Sequence, residues 1–160
     1  MMDELIKQSS GIGEVFAKRT LTMATAESCT GGLLGHILTS VSGSSEYYLG
    51  GVIAYSNDVK EALLGVKRET LLANGAVSHE TAREMAAGIR QRLNADIGLS
   101  TTGIAGPTGG TAEKPVGLVY IGISTSEETE SYECHFKGGR LAVKEGTVNA
   151  VLEKLTEFIS

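Results

Sequence analysis

The 160-residue chain has only two cysteines and two prolines, and it contains no long apolar run. Cys29 and Cys134 lie far apart and belong to no CxxC or Cys/His cluster, so a cysteine-ligated metal is not expected. No segment approaches the roughly 20 apolar residues that span a bilayer, and the N-terminus has no signal-peptide pattern. These absences favour a cytoplasmic protein with no membrane partner.

Clusters of basic residues are also missing. The net charge is −5, and no block of lysine and arginine marks a nucleic-acid-binding surface, so a nucleic-acid partner is not expected. A phosphorylated small molecule stays compatible with this charge, because it needs only a local group of donors. Glycine, in contrast, is abundant at 21 residues, which favours close approach of the backbone to a ligand or a neighbouring element.

The length predicts one domain covering residues 1–160. Periodic apolar positions predict helices over residues 3–19, 31–41, 57–64, 67–74, 78–93 and 140–159. Strands are predicted over residues 21–26, 47–55, 95–102, 116–125 and 131–136. Strands that alternate with helices, together with one hairpin, predict a three-layer α/β/α sandwich with a mixed, mostly parallel sheet.

The segment 25–32 (TAESCTGG) places Ser28 between a predicted strand and a predicted helix. Ligands bind at this position in open α/β sheets, so the Ser28 hydroxyl is a candidate nucleophile with an oxyanion pocket beside it. The structural alternative is that Thr30 caps the helix while the glycines only turn the chain. Cys29 is a second candidate nucleophile. Glu27 either orients Lys60 or caps the end of the sheet with no chemical role.

The segment 55–60 (YSNDVK) follows the next predicted strand. Lys60 lies about one helical turn from its start and can fold back toward Tyr55. A serine–lysine pair supported by tyrosine can perform acyl transfer without histidine, provided that burial lowers the lysine pKa. The alternative is a solvated Lys60 paired with Asp58 or Glu61, and a Tyr55 that is merely a half-buried core residue.

The segment 101–110 is rich in glycine but contains neither GxxxxGK[ST] nor GxGxxG, which argues against a P-loop and a dinucleotide fingerprint. Its backbone N–H groups and the hydroxyls of Thr101 and Thr102 can hold a phosphate, a ribose or an amide. If the three preceding strands are neighbours, all three polar segments meet at one edge of the sheet.

Two further polar residues have a functional and a structural interpretation. His36 lies in the helix after Ser28, where it either reaches a ligand or is an ordinary helical histidine. Arg140 opens the last helix beside two glycines, as an anion clamp or as an exposed residue. The three histidines share no metal-ligand spacing, so no metal site is predicted.

The runs AESCTGG (26–32), GGVIAYSNDVKEALLGV (50–66), STTGIAGPTGG (100–110) and KPVGLVYIGI (114–123) resemble the CinA C-terminal domain family. The best-characterised activity of that family is hydrolysis of the carboxamide of nicotinamide mononucleotide to nicotinate mononucleotide and ammonia. The resemblance implies a nucleotide substrate, a homodimer or larger homo-oligomer, and no metal or organic cofactor. It covers nearly the whole chain.

Carried over position by position, the resemblance assigns Ser28 as nucleophile, Lys60 as general base and Tyr55 as the residue assisting them. The expected substrate-binding residues are Thr102 and Gly103 in the amide pocket, Thr30, Gly31 and Gly32 at the helix end near the reacting groups or phosphate, and Arg140.

The chain departs from the family pattern near Arg140. Many relatives carry an acidic residue just before this arginine and a second arginine after it, whereas this chain has Gly139 and Lys144. The upstream molybdopterin-binding-like domain of full-length CinA proteins is absent, so a stand-alone form is expected. Alternative functions are an inactive nucleotide-binding or regulatory homologue and an amidase for another small carboxamide. A nucleic-acid competence factor fits the net negative charge poorly.

Overall fold

The computed structural model describes all 160 residues, and its helices and strands alternate along the chain. The helices are α1 (Met2–Arg19), α2 (Leu33–Thr39), α3 (Asn57–Leu64), α4 (Arg68–Asn74), α5 (His79–Leu93) and α6 (Arg140–Ile159). The strands are β1 (Met23–Glu27), β2 (Tyr48–Ile53), β3 (Ile97–Gly103), β4 (Leu118–Ser124) and β5 (Thr129–His135). A 3-10 turn, Ser44–Glu46, precedes β2.

The five strands form one sheet in the order β2-β1-β3-β4-β5. β1 pairs in parallel with β2 and β3, whereas β4 is antiparallel to both β3 and β5. Four strands therefore point in the same direction, and the carboxyl ends of β1, β2 and β3 share one edge. This arrangement confirms the predicted mixed sheet and makes the three polar segments neighbours.

Helices cover both faces of the sheet. On one face, α1, α2 and α6 bury apolar side chains such as Phe16, Leu38 and Leu152. On the other face, α3, α4 and α5 form a smaller core that includes Leu64 and Met85. The three-layer α/β/α sandwich is confirmed. None of its helices is long and apolar enough to cross a membrane.

Small residues on the sheet allow α5 to lie unusually close to β3 and β4. A Cβ atom at Gly98 would overlap the carbonyl oxygen of Ala86, and one at Gly122 would overlap that of Ala82. The Ser100 hydroxyl donates to the Ala82 carbonyl across the same contact, at 2.6 Å. The glycines therefore set the distance between helix and sheet, and the hydroxyl fixes the register.

Serine residues cap two of the three helices on this face, α3 and α5. Ser56 Oγ accepts a hydrogen bond from the Val59 amide at 3.2 Å and caps α3. The cap is thus Ser56, and Asn57 is the first helical residue. Ser78 Oγ accepts from the Thr81 amide at 3.1 Å and caps α5.

Gly88 brings α5 against the end of α3, since a Cβ there would overlap the Leu64 carbonyl oxygen. We expect Gly88→Ala to lower the free energy of unfolding by about 2 kcal/mol, because the two helices must separate. Gly11→Ala is the matched control: nothing lies near its Cβ position in α1, so a gain of about 0.5 kcal/mol is expected. Urea denaturation followed by circular dichroism measures both, and equal effects would contradict the close contact.

Candidate active site

The edge formed by the carboxyl ends of β1, β2 and β3 encloses a cavity of about 340 Å3. Ser28 follows β1, Tyr55 follows β2, and the loop 104–110 follows β3. Arg140 arrives from β5, which ends at the same edge. The remaining lining residues are Cys29, Asn57, Lys60, Ala76, Val77, Thr102, Gly103, Ile104, Ala105, Gly106, Thr108 and Gly109. The predicted meeting of the three polar segments is confirmed.

Ser28 and Lys60 are in direct contact inside this cavity. Lys60 Nζ lies 3.1 Å from Ser28 Oγ and 3.3 Å from the backbone carbonyl oxygen of Tyr55. Lys60 is only 1 % exposed, so the alternative of a solvated lysine is wrong. Burial lowers the pKa of the Lys60 ammonium, because the charged form loses hydration that no carboxylate replaces. The pair has the geometry and the electrostatics of a nucleophile beside its base.

The turn that presents Ser28 is held by the buried carboxylate of Glu27. Its two oxygens accept a hydrogen bond from the Thr30 hydroxyl at 2.6 Å and from the amides of Gly32, Leu34 and Gly35 at 3.2, 2.9 and 3.0 Å. Glu27 is 2 % exposed. The carboxylate thereby satisfies the free N–H groups at the start of α2 and complements the positive end of the helix.

This capping carboxylate changes the role of three residues predicted near the substrate. Thr30 does not cap α2, because its hydroxyl is bonded to Glu27 and to Thr101 Oγ1 at 2.8 Å. Gly31 and Gly32 adopt positive φ and complete the turn, as the structural alternative proposed. None of the three lines the cavity. The start of α2 is occupied by the protein itself and is closed to a phosphate.

Thr101 joins the Ser28 turn to β3. Its carbonyl oxygen accepts from the Ser28 amide at 2.9 Å, so that amide is not free to bind substrate. The amide of Cys29, which follows Ser28 and lines the cavity, donates to no backbone carbonyl oxygen. A free N–H group beside a nucleophilic hydroxyl is a usual component of an oxyanion hole.

Thr102 and Gly103 line the cavity as predicted. The Thr102 hydroxyl donates to the Ala76 carbonyl oxygen at 2.7 Å, so it fixes the 75–78 loop rather than pointing a free donor at a ligand. Ala76 and Val77 of that loop form an apolar wall that the sequence did not indicate, since neither residue carries a recognisable chemical signal. Asn57, the first residue of α3, also lines the cavity.

Tyr55 contacts Lys60 through its carbonyl group and contacts Arg140 through its phenol. Arg140 Nη2 donates to the Tyr55 hydroxyl at 2.9 Å, and Nη1 donates to the Gly106 carbonyl oxygen at 2.7 Å. Tyr55 is 61 % exposed, so the alternative of a half-buried core aromatic is wrong. Lys144, one turn further along α6, does not line the cavity.

Two other candidates take structural positions. Burial raises the pKa of the Cys29 thiol to about 12, so the thiol stays protonated and is a poor nucleophile beside Ser28. His36 is exposed on α2 and does not line the cavity, which favours an ordinary helical histidine. No group of three or more His, Cys, Asp or Glu side chains is placed to hold a metal ion.

The lowered pKa of Lys60 makes folding stability depend on pH. Between that pKa and the ordinary value of 10.5, the unfolded chain binds more protons than the folded one, so the free energy of unfolding rises with pH. Lys60→Met removes this contribution. We therefore expect the wild-type stability, relative to Lys60→Met, to increase from pH 7 toward pH 10 in urea denaturation.

Lys7→Met, at an exposed position of α1, is the control for this measurement. The difference in free energy of unfolding between Lys7→Met and the wild type is expected to stay constant over the same pH range. A constant difference for Lys60→Met as well would contradict the lowered pKa.

Comparison with known proteins matches residues 6–159 to the CinA C-terminal domain. A competence-damage inducible protein of Halothermothrix orenii is 61 % identical over 130 residues, covering 81 % of this chain and 32 % of the relative. A CinA-like protein of Salinibacter ruber is 47 % identical over 149 residues, covering 93 % of this chain and 36 % of the relative. The chain spans about a third of the length of the curated relatives it matches.

Solved structures have the same fold. A competence/damage inducible protein of Agrobacterium tumefaciens superposes with a TM-score of 0.95 at 40 % identity, covering 98 % of this chain and 96 % of its own. A CinA superfamily protein of Klebsiella pneumoniae gives 0.94 at 31 % identity, with 97 % of each chain covered. The chain belongs to the CinA C-terminal domain family.

Proposed function

We propose that this chain hydrolyses the carboxamide of nicotinamide mononucleotide to nicotinate mononucleotide and ammonia. The observation that carries the proposal is the 3.1 Å contact between Lys60 Nζ and Ser28 Oγ in a cavity at the carboxyl edge of the sheet. The chemistry of this pair supports amide hydrolysis, and the resemblance to the family supplies the substrate. In this proposal Ser28 is the nucleophile and Lys60 the general base.

The first step forms an acyl-enzyme. Neutral Lys60 Nζ accepts the Ser28 hydroxyl proton while Oγ attacks the carboxamide carbon of the substrate. The negative charge that develops on the carboxamide oxygen is placed against the free amide of Cys29, which lines the cavity. The C–N bond then breaks, and the Lys60 ammonium returns the proton to the departing nitrogen, which leaves as ammonia.

The second step releases the product. Lys60, neutral again, accepts a proton from a water molecule, and the resulting hydroxide attacks the ester carbonyl of the acyl-enzyme. The ammonium then protonates Ser28 Oγ as the ester bond breaks. Nicotinate mononucleotide leaves as a carboxylate, and the Ser28–Lys60 pair is restored.

The backbone of Tyr55 has a defined part in this scheme. A neutral amine has two N–H donors and one lone pair. One N–H of Lys60 donates to the Tyr55 carbonyl oxygen, 3.3 Å away, which directs the lone pair toward the Ser28 hydroxyl. Tyr55 therefore assists the pair through its main chain, whereas its phenol contacts Arg140.

Removing either member of the pair tests the proposal. We expect Ser28→Ala and Lys60→Ala each to lower kcat for ammonia release from nicotinamide mononucleotide by about 1,000-fold or more, because the two groups act together. Ser45→Ala, on the exposed 3-10 turn, is the matched control and should keep wild-type turnover. A coupled ammonia assay measures all four proteins.

Wild-type protein that is folded but releases no ammonia would favour the inactive-homologue alternative. Ammonia released from other small carboxamides, but not from the mononucleotide, would favour an amidase of different specificity.

The pH dependence of kcat/KM tests the base. Because Lys60 must be neutral to accept the serine proton, the rate should fall about tenfold per pH unit below its pKa. Burial lowers that pKa, so the midpoint of this acid limb is expected below 10.5. Initial rates measured between pH 7 and 9.5 avoid the second ionisation of the substrate phosphate, which has a pKa of about 6. A rate that is flat over this range and retained in Lys60→Arg would exclude lysine as the base.

A further inference from the structure

Lys114 connects two loops that form walls of the cavity, although it does not line the cavity itself. It belongs to the loop after β3, and its ammonium donates to the backbone carbonyl oxygen of Asn74 at 2.5 Å. Asn74 ends α4 and precedes the loop that contributes Ala76 and Val77 to the cavity. One side chain therefore joins two walls that are 40 positions apart in the sequence.

The end of α4 is a suitable partner for an ammonium group. The last carbonyl groups of a helix have no intrahelical donor and carry a negative partial charge. Gly75 leaves room for the contact, since a Cβ atom there would lie 3.0 Å from Lys114 Nζ. None of the three ion pairs of the chain includes Lys114. The half-buried ammonium is thus paired with a helix end rather than with a carboxylate.

The loop after α4 is held mainly by the sandwich itself. Three successive carbonyl oxygens of this loop accept hydrogen bonds from side chains of three different parts of the chain. The pairs are Asn74 with Lys114, Gly75 with the Thr81 hydroxyl at 2.7 Å, and Ala76 with the Thr102 hydroxyl at 2.7 Å. Thr81 belongs to α5 and Thr102 to β3, so these two bonds keep the wall in place without Lys114. The bond from Lys114 therefore positions the loop after β3 against a wall that is already fixed.

The loop after β3 is attached on both sides of its exposed segment, residues 107–113. Before this segment, the carbonyl oxygen of Gly106 accepts from Arg140 at 2.7 Å. After it, Lys114 binds the end of α4. The segment itself contributes two lining residues to the cavity. Releasing its second attachment would therefore widen the cavity without changing the contact between the serine and the lysine of the reacting pair.

We infer that Lys114 is a positioning residue, which sets the width of the cavity by holding the loop after β3 to the end of α4. This role rests on the proposed function for the identity of the substrate. Ser28 and Lys60 are positioned by the Glu27 carboxylate and by the packing of α3, neither of which involves Lys114. Loss of the Lys114–Asn74 hydrogen bond should therefore weaken substrate binding more than it slows the chemical steps.

Hydrogen exchange tests the bond without turnover. The amide of Thr111 donates to the Lys114 carbonyl oxygen at 2.8 Å and reports on the exposed segment. In hydrogen exchange followed by NMR, we expect Lys114→Met to accelerate exchange of this amide roughly 10-fold, because a hydrogen bond to a charged group is lost. The amide of Gly117, which donates to the Ile104 carbonyl oxygen at the base of the loop, should change less than about threefold.

Two further variants control this measurement. Lys114→Arg keeps a cationic donor for the Asn74 carbonyl oxygen and should restore most of the protection of Thr111. Lys67→Met removes an exposed lysine at the other end of α4 and should leave the exchange unchanged. Exchange of Thr111 at the wild-type rate in Lys114→Met would overturn the inference.

Steady-state kinetics tests the positioning role. We expect Lys114→Met to raise KM for nicotinamide mononucleotide roughly 10-fold and to leave kcat within about threefold. Lys114→Arg should keep KM within about threefold of the wild-type value, and Lys67→Met should match the wild type. Partial unfolding lowers the apparent kcat rather than raising KM. A loss confined to kcat, or an unchanged KM, would therefore overturn the positioning role.

Failure of this role and failure of the proposed function give different results. Protection of Thr111 that depends on Lys114, in a protein that releases no ammonia, supports the attachment of the loop and refutes the function. Deamidase activity with a KM and a Thr111 exchange rate that are both indifferent to Lys114→Met overturns the inference and leaves the function standing.

Discussion

The buried carboxylate of Glu27 is the constraint from which the geometry of the site follows. Glu27 ends β1, the central strand of the parallel group, and its carboxylate accepts hydrogen bonds from four donors within the following eight residues. The chain must turn tightly to bring those donors to one carboxylate, and Ser28 is the first residue of that turn. The position of the Ser28 hydroxyl is therefore fixed by the Glu27 carboxylate, which does not line the cavity. The same charge fills the start of α2, so the free N–H groups there are not available to another anion.

The contact between Lys60 and Ser28 depends on close packing of α3 and α5 on the other face of the sheet. Gly98 and Gly122 let α5 lie directly on β3 and β4, and Gly88 lets α3 lie directly on α5. Because these glycines have no Cβ, α5 lies close to the sheet and α3, which carries Lys60, lies close to α5. The burial that lowers the pKa of Lys60 is thus a consequence of helix packing rather than of any local pattern around the lysine.

Local patterns in the sequence were sufficient for the elements and for the meeting of the three polar segments. Apolar periodicity located the helices. The convergence of the three segments followed because the carboxyl ends of neighbouring parallel strands lie at the same edge of the sheet. The contacts between distant residues were beyond such reasoning. The Glu27 carboxylate can accept hydrogen bonds from the amides of Leu34 and Gly35 only when α2 is formed. Arg140 donates to the hydroxyl of Tyr55, which lies 85 positions away in the sequence. Apolar wall residues such as Ala76 carry no chemical signal at all.

No acidic residue lines the cavity, and this affects both the protonation of Lys60 and the binding of an anionic ligand. A carboxylate near Lys60 would favour its ammonium form and raise its pKa, which would remove the base. A carboxylate near the glycine-rich loop would repel an anionic ligand. An anionic ligand, however, also favours the ammonium form of Lys60 when it binds in the same cavity. The positive charge of Arg140, which lines the same cavity, opposes this effect, because a like charge favours the neutral form of Lys60.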